Sequence, residues 1–423
     1  MKAQSFSGTK TEKPSSHVRP TAQESSPTPA VPAENGTDTL RVLPADGHRG
    51  KPAHGTAKTA PVQGCWTGIT AAFLLLVLTF LISSCGFSVR PFDEDKWREA
   101  VAATDPALLY APHYRDGRFF NPWMPVEKEF GEVLTWWLSE RTSYPPEEED
   151  ALPRVMPELH RRIIAASGDF IAWIGHASFL IRSGGVYWLT DPMFSDRALL
   201  PKRRTPPALS LAEFLSLPGE KNVIISHNHY DHLDAASIRG LPAETRIYVP
   251  LGLKPLMQEL GKNNVVEMDW WQEISCGDGC RLVCLPAQHW SRRTLTDTNA
   301  TLWASFLLET AGKKIYYGGD SGYFLGYREI GRRYPGIAYA LLPVTAYDPR
   351  WFMHYPHLDA REALAAFRDL GARHFIPTQW GAFRLGDEPI GHAPRALARE
   401  LRSSGVKADQ LLVMDIGQLL PLK

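Results

Sequence analysis

A chain of 423 residues with 44% hydrophobic side chains can form one large domain or two ordinary ones around a sizeable core. Its 46 basic side chains balance its 46 acidic ones and form no long basic run, so composition offers no argument for a nucleic-acid partner. We expect most of the 13 tryptophans to lie in the core, because burial removes their large apolar surfaces from water.

Residues 1–85 differ in composition from the rest of the chain. Residues 1–63 are rich in Ser, Thr, Pro, Ala, Gly and Lys without a hydrophobic period, which predicts a disordered tail or an overlong leader. Residues 64–85 contain an apolar stretch, Ala71–Ile82, that is shorter than the roughly 20 residues of a spanning helix and typical of a signal peptide. It ends in ISSC at Cys85, which resembles a bacterial lipobox, in which the cysteine is acylated after cleavage.

Two interpretations of this segment stay open. A leader of this length is unusual for a lipoprotein, so the true start could lie downstream of Met1, and an uncleaved transmembrane anchor is the alternative. Both place a membrane-anchored large domain in the bacterial cell envelope, outside the inner membrane.

The remaining chain predicts helices first and then a strand-rich domain. Residues 86–165 form a helical N-terminal extension, with apolar residues at helical spacing over 93–103 and 128–142. In residues 166–423, strand-rich stretches followed by helices recur twice, which predicts a layered α/β domain. Segment 169–192 predicts two strands joined at Gly184–Gly185, and Asn222–Ser226 is a short buried strand. Further strands are predicted over 245–250, 264–274, 280–290, 302–310, 313–320 and 337–344, and helices over 358–371 and 392–405.

The segment SHNHYDHLD, Ser226–Asp234, carries the strongest functional signal. In an extended backbone His227 and His229 point to the same side and can hold one ion, whereas Asp231 and His232 can hold a second. Such nitrogen and carboxylate ligands suit zinc at about 2.0–2.2 Å. A polar surface turn is the alternative, but four ligand-type side chains within His227–His232 argue against it.

Other predicted strand ends supply the remaining ligands. His289 and Asp320 each lie at the end of a predicted strand, and the carboxylate of Asp320 is suited to bridge two ions. Asp191 is better placed to orient a histidine than to bind metal.

These segments resemble the metallo-β-lactamase fold and, within it, the branch around N-acylphosphatidylethanolamine-hydrolysing phospholipase D. In chain order, the resemblance rests on WIGHASFLI, LTDPMFSDRA, ISHNHYDHLD, DWWQE, QHWSRRTLTDTN, LWASF, GGDSGY and AYDPRWFMHYPHLD. The histidine motif is common to many proteins of this fold, whereas QHWSRRTL and YDPRWFM narrow the match to the branch. The resemblance covers roughly residues 169–380 and implies a four-layer αβ/βα sandwich, with the metals between the sheet edges.

The resemblance also implies roles for individual residues. The implied ligands of two Zn²⁺ ions are His227, His229, Asp231, His232, His289 and Asp320. Asp231 and His357 are the implied catalytic residues, and Tyr230 and His357 are implied to contact the phospholipid. Without the resemblance, His357 is equally well explained as a residue near a helix start. Relatives imply a homodimer.

One position departs from the family pattern. Where the family has His-Trp-Gly, this chain has Gln379–Trp380–Gly381, and a glutamine carbonyl is a weak zinc ligand. The second site is therefore expected to be weaker, to bind another divalent metal, or to recruit a nearby histidine. The histidines considered for this role are His354, His374 and His392.

The cysteines in CGDGCRLVC are not spaced like a zinc ribbon. Cys276 and Cys280 could close a small disulfide around a Gly-Asp-Gly turn, and free thiols are equally compatible with the spacing. The third cysteine of the group is Cys284.

The resemblance implies a metal-dependent phosphodiesterase that hydrolyses a membrane phospholipid, such as N-acylphosphatidylethanolamine, by attack of a metal-bound hydroxide on phosphorus. An anchor at Cys85 would hold it at the bilayer surface. Hydrolysis of a lactone, a β-lactam or another acyl compound is the alternative, because the same activated water can attack an acyl carbon. A surface binding protein with a degraded metal site is a third hypothesis, supported by Gln379 alone.

Overall fold

The computed structural model describes residues 92–125, 130–149 and 151–422. The predicted tail (1–63), the predicted signal or anchor (64–85) and the acylation site Cys85 lie outside the described residues. Within the described part of the chain, no helix combines the length and apolarity needed to cross a membrane.

Short helices and strands alternate along the chain. The helices are α1 (Glu94–Ala102), α2 (Phe130–Leu138), α3 (Pro146–Glu149), α4 (Leu159–Ala165), α5 (Leu211–Ser216), α6 (Ala235–Gly240), α7 (Lys254–Glu259), α8 (Gly326–Arg333), α9 (Arg350–Met353), α10 (Ala360–Asp369) and α11 (Ala393–Ser404), with 3-10 helices at Pro106–Tyr110 and Ala408–Gln410. The strands are β1 (Tyr114–Arg115), β2 (Arg118–Phe119), β3 (Phe170–Gly175), β4 (Ser178–Ser183), β5 (Val186–Thr190), β6 (Lys221–Ile224), β7 (Arg246–Pro250), β8 (Val265–Met268), β9 (Glu273–Gly277), β10 (Cys280–Leu285), β11 (Ser305–Thr310), β12 (Lys313–Tyr317), β13 (Ile337–Pro343), β14 (His374–Thr378) and β15 (Leu419–Pro421).

Two mixed sheets form the centre of the fold. The first has seven strands in the order β15-β3-β4-β5-β6-β7-β8, and the second has six in the order β14-β13-β12-β11-β10-β9. In the first sheet β5 to β8 run parallel, and in the second β12 to β14 do. The other neighbours pair antiparallel, including the predicted hairpin in which Ser183 pairs with Val186.

The core lies on both faces of each sheet. In β3, Ile171 and Trp173 face the second sheet, whereas Phe170, Ala172 and Ile174 face the helices. Because successive side chains of β3 point to opposite faces of the sheet, the strand is buried on both faces. The helices α4, α5, α6 and α7 cover the first sheet, and α8, α10 and α11 cover the second. This is the four-layer αβ/βα sandwich that the sequence resemblance implied.

The described part of the predicted N-terminal extension, 86–165, packs into the same cores. Leu109, Phe119 and Trp123 join the cluster that contains the second sheet and its helices, and Leu159 and Ile163 of α4 join the cluster outside the first sheet. The domain boundary at 165/166 stays a prediction.

The structure corrects three predicted strands. The stretch predicted as one strand before Gly184 is two strands, β3 and β4, because Gly175 and His176 both adopt positive φ and reverse the chain. Segment 264–274 is also split, since Trp271 has φ +68° and the chain passes there from the first sheet to the second. Strand β6 ends at Ile224 rather than Ser226, whose backbone N–H bonds to the Asp191 carboxylate instead.

Candidate metal centre

The site lies where the carboxyl ends of strands from both sheets meet. Strands β3, β5 and β6 of the first sheet end at His176, Asp191 and the segment Ser226–Asp234. Strands β10, β12 and β14 of the second sheet lead to His289, Asp320 and Gln379.

The segment Ser226–Asp234 after β6, called the histidine loop below, is held in place by two sets of hydrogen bonds. Asp234 caps α6 by accepting hydrogen bonds from the backbone N–H of Ala236 and Ser237, at 3.2 and 3.3 Å. On its outer side, the Arg293 guanidinium donates to the carbonyls of Asn228 and Leu233, at 2.7 and 2.8 Å. Sequence reasoning did not single out Arg293, although it lies in the QHWSRRTL motif.

A first cluster joins His227, His229, His289 and Asp320, with one donor atom of each within 4.8 Å of every other. The Nδ1 of His229 lies 2.8 Å from Nε2 of His227 and 3.2 Å from Nε2 of His289. Oδ2 of Asp320 lies 3.8 and 3.5 Å from the same two Nε2 atoms.

Hydrogen bonds made by Nδ1 of His227 and of His289 determine that Nε2 of each ring faces this cluster with its lone pair. Nδ1 of His289 donates to the carbonyl of Pro356 at 3.0 Å. Nδ1 of His227 donates to Oγ of Ser226 at 2.9 Å, since that hydroxyl gives its own proton to Asp191 at 2.6 Å. In the neutral rings both Nε2 atoms are therefore lone-pair donors that face one another and Asp320.

A second cluster joins Asp231, His232 and His176. Nε2 of His232 lies 3.2 Å from both Oδ2 of Asp231 and Oδ1 of Asp320. Because its two oxygens face different clusters, Asp320 is placed to bridge them. Asp191 accepts a hydrogen bond from Nδ1 of His232 at 2.6 Å, the orienting contact expected of it.

His176 was missed by sequence reasoning. It is fully buried, and its Nε2 lies 2.9 Å from Oδ2 of Asp231. The available signal was its place in the WIGHASFLI motif.

Gln379 and the three histidines considered as substitutes take other positions. The Gln379 amide nitrogen donates to Oδ1 of Asp320 at 2.6 Å and to the carbonyl of Gly319 at 3.0 Å. His354, His374 and His392 lie outside both clusters: His354 bonds to the Arg350 carbonyl, His374 stacks on Tyr339, and His392 bonds to Tyr347.

Burial and neighbouring charges set the protonation of the two clusters. Burial lowers the pKa of His229 to about 4, and burial together with the neighbouring imidazoles lowers the pKa of His227 and His289 well below the ordinary value. Burial alone would raise the pKa of Asp231 and Asp320, but the facing imidazoles outweigh it and hold both pKa values well below the usual range. Neutral imidazoles and ionised carboxylates are the metal-binding forms of these groups.

The donor set fits divalent metal. Atoms bound at about 2.0–2.1 Å around one tetrahedral ion lie roughly 3.3 Å apart, which is close to the spacings within each cluster. The buried Nε2 of His232 has no hydrogen-bond partner among the described residues, although it faces two carboxylates. Burial lowers the pKa of His232, yet Asp320, Asp231 and Asp191 together raise it well above the ordinary value. Such a nitrogen takes up a cation, either a proton or a metal ion.

The two residues expected to contact substrate lie at the edge of the clusters. Nδ1 of His357 is 4.0 Å from Oδ2 of Asp320, and its side chain is 14% exposed. The hydroxyl of Tyr230 donates to the carbonyl of Arg293 at 2.8 Å, and the Arg293 guanidinium lies over the Tyr230 ring. His357 would therefore be within reach of a molecule bound beside Asp320, and the Tyr230 hydroxyl is already engaged.

The chain is similar to known proteins in sequence and in fold. Residues 187–380 match the family described as "Beta-lactamase superfamily domain". The chain is 33% identical over 272 residues to N-acyl-phosphatidylethanolamine-hydrolyzing phospholipase D 1 of Caenorhabditis elegans, covering 60% of this chain and 76% of that protein. It is 34% identical over 315 residues to an uncharacterized protein of Mycobacterium tuberculosis, covering 69% and 82%. The crystal structure of isothiocyanate hydrolase from Delia radicum gut bacteria has the same fold, with a TM-score of 0.50 and 16% identity over 60% of this chain and 99% of that chain.

Proposed function

The chain belongs to the β-lactamase superfamily, in the branch that includes N-acyl-phosphatidylethanolamine-hydrolyzing phospholipases D, and is a metal-dependent hydrolase; we propose that it is a zinc-dependent phosphodiesterase that hydrolyses N-acylphosphatidylethanolamine or a related membrane phospholipid. The observation that carries this proposal is the 33% identity to the C. elegans phospholipase over 76% of its length. The two clusters of metal-ligand side chains at the sheet edges support it.

The side chains of the site can serve each part of this reaction. His227, His229 and His289 would hold one Zn²⁺, Asp231 and His232 would hold another, and Asp320 would lie between them. Bound zinc supplies a water with a pKa near 7 and neutralises charge on the phosphoryl oxygens.

Two other groups hold the water and the leaving group in this scheme. The pKa of Asp231 is held well below the usual range, so its carboxylate is ionised at neutral pH and would orient the attacking water by accepting a hydrogen bond from it, while the proton of that water is released to solvent. A P–O bond forms to that water, and the bond from phosphorus to the headgroup oxygen breaks. His357, 4.0 Å from Asp320, can hold a proton for the leaving headgroup alkoxide. The products are phosphatidic acid and an N-acylethanolamine.

Exposed leucines beside the site support a substrate that lies in a membrane. Leu199, Leu200 and Leu295 are 59%, 77% and 88% exposed. Both loops that carry them contact the histidine loop: Ser195 donates to Asp234 at 2.6 Å, and Arg293 donates to the Leu233 carbonyl at 2.8 Å. Large apolar side chains exposed around an active site are suited to contact a lipid surface.

The experiment is a product assay on vesicles that contain N-acylphosphatidylethanolamine. We expect phosphatidic acid that disappears on chelation and returns with Zn²⁺. A variant with Leu199, Leu200 and Leu295 each changed to Ser should lose several-fold activity on vesicles and keep its activity on the soluble diester bis-p-nitrophenyl phosphate. Absence of chelator-sensitive phosphatidic acid, with turnover of nitrocefin or an acyl lactone instead, would favour acyl hydrolysis and refute the proposal.

We also propose that the protein reaches this substrate as a lipoprotein of the bacterial envelope, acylated at Cys85. A lipid anchor would confine the catalytic domain to the surface where the substrate lies. Labelling with a radioactive fatty acid should mark the wild-type chain and leave a Cys85→Ser variant unlabelled. Equal labelling of both chains would rule out this attachment.

A further inference from the structure

We propose that His176 is a direct ligand of the second metal ion and that Gln379, at the position where a ligand was expected, is a positioning residue. The second ion would then have four side-chain donors: Nε2 of His176, Nε2 of His232, Oδ2 of Asp231 and Oδ1 of Asp320. Two nitrogens and two carboxylate oxygens form a donor set that suits zinc.

The backbone turn between β3 and β4 delivers His176 to the site. His176 has φ +52°, an uncommon conformation for a residue other than glycine and one that recurs at functional sites. Its ring is fully buried, and its centroid lies 5.6 Å from that of His232 and 5.1 Å from that of Phe383.

Hydrogen bonding fixes which nitrogen of His176 faces Asp231. Nδ1 lies 3.1 Å from the backbone oxygen of Gln379, which can only accept, so Nδ1 carries a hydrogen. In the neutral ring Nε2 is then a lone pair, 2.9 Å from Oδ2 of Asp231. Two electron-rich atoms at this distance repel each other unless a cation lies with them.

His232 has the same arrangement on the other side of Asp231. Its Nδ1 donates to Asp191 at 2.6 Å, which turns Nε2 towards the same Asp231 oxygen at 3.2 Å. Two imidazole lone pairs thus face one carboxylate oxygen. One divalent ion satisfies both lone pairs and balances the charges of Asp231 and Asp320.

Gln379 supports this site through its neighbours. Its amide nitrogen donates to Oδ1 of Asp320 and to the carbonyl of Gly319, and these two acceptors identify it as the nitrogen rather than the oxygen. A donor N–H cannot bind a metal ion. Its backbone N–H and carbonyl both bond to His176, at 3.2 Å to the His176 carbonyl and 3.1 Å to Nδ1.

The test is a Co²⁺ titration of the full chain after removal of metal, with stoichiometry and affinity read from the visible absorption. We expect two ions per wild-type chain. His176→Phe keeps a ring against Phe383 but removes both nitrogens, so it should bind one ion with unchanged affinity and the second at least tenfold more weakly. His374→Phe is the matched control, because His374 stacks on Tyr339 outside both clusters, and it should bind two ions like the wild type.

Gln379→Leu removes the amide donor and keeps the backbone contacts. We expect a smaller loss of affinity for the second ion than in His176→Phe. If Gln379 has only a structural role, the melting temperature would fall and the Co²⁺ affinity would not, which would contradict its assignment.

A single ion per wild-type chain, or unchanged binding of the second ion by folded His176→Phe, would overturn the assignment of His176. If that variant does not fold, the wild type can be loaded with ¹¹³Cd and its histidine nitrogens observed by NMR. Of the fourteen histidines, five should show direct coupling to cadmium: His176, His227, His229, His232 and His289. Absence of coupling at His176 would overturn the assignment.

This inference concerns metal binding, so it rests on the metal-dependent hydrolase family and not on the phospholipid substrate. Two bound ions without release of phosphatidic acid would count against the proposed substrate alone. Loss of the second ion in His176→Phe would support the ligand assignment in that case as well.

Discussion

Among single residues, Asp191 is notable because its carboxylate connects the two clusters of metal-ligand side chains. It accepts hydrogen bonds from Nδ1 of His232 at 2.6 Å and from the hydroxyls of Ser226 and Tyr317 at 2.6 and 2.5 Å. The Ser226 hydroxyl in turn accepts from Nδ1 of His227. One buried carboxylate thus fixes the tautomer of one imidazole in each cluster.

Replacing Asp191 by Asn should therefore weaken metal binding at both clusters. The amide keeps the size of the side chain but loses the charge and presents N–H groups to neighbouring donors, so we expect a 10- to 100-fold loss of metal affinity. Competition with a chromophoric chelator measures this change. Asp196→Asn, at an exposed position of the same loop, is the control, and equal affinity in the two variants would contradict the role assigned to Asp191.

The buried carboxyl of Glu388, which is not part of the metal-binding clusters, should make the stability of the fold depend on pH. Burial, with a contribution from the charge of Asp348, raises its pKa to about 8, even though its carboxyl accepts hydrogen bonds from the backbone N–H of Ala346 and Asp348. A pKa that is higher in the folded than in the unfolded chain stabilises the fold below the ordinary value of 4.5, and this contribution is lost as the pH rises through about 8.

Glu388→Gln should remove this dependence because glutamine does not ionise. Relative to the wild type, we expect the free energy of unfolding of the variant to rise by roughly 2–5 kcal/mol between pH 4.5 and pH 9. Urea unfolding across this range at saturating metal measures it. Glu99→Gln, on the exposed surface of α1, should follow the wild type, and parallel profiles for wild type and Glu388→Gln would disprove the assignment.

At the scale of elements, local sequence predicts the strands and the histidine loop but not every reversal of the chain. The residues from His227 to His232 occupy one short segment, so their pattern is visible without knowledge of the fold. His289 and Asp320 could be found because each lies at the end of a predicted strand. His176 could not, because the apolar run of WIGHASFLI predicts one unbroken strand, and only the packed structure shows the reversal at Gly175 and His176.

The hairpin of β9 and β10 carries a disulfide between Cys276 and Cys280, one of the two states that the sequence left open. A disulfide that closes a loop of about five residues stabilises the fold by about 2 kcal/mol, because it lowers the conformational entropy of the unfolded chain. The bond lies at the amino end of β10, whereas His289 follows the carboxyl end.

Reduction should therefore lower stability without loss of metal. We expect reduction by tris(2-carboxyethyl)phosphine, which lacks thiol groups, to lower the free energy of unfolding of the wild type by about 2 kcal/mol and to leave its metal content unchanged. A variant with both cysteines changed to Ser should have the lower stability with or without reductant. An equal response of the two proteins to reductant would show that the effect comes from elsewhere.

At the scale of the molecule, the segment before the sandwich is part of the support for the site. Asn121 is buried, and its amide nitrogen donates to the His289 carbonyl at 3.0 Å and to the Tyr355 hydroxyl at 2.7 Å. Trp123 donates to the side chain of Gln288 at 3.1 Å. Sequence patterns predicted helices in this region, but contacts over such chain separations depend on the whole fold and leave no local pattern.

Asn121→Ala should therefore affect both stability and the metal centre. The variant leaves the buried His289 carbonyl without this donor, so we expect a loss of about 1–3 kcal/mol in the free energy of unfolding. We also expect weaker metal binding at the first cluster, because the backbone of His289 is less firmly held. Urea unfolding and chelator competition measure the two effects, with the exposed Asn263→Ala as control. Reduced stability with unchanged metal affinity would mean that this segment stabilises the sandwich without positioning His289.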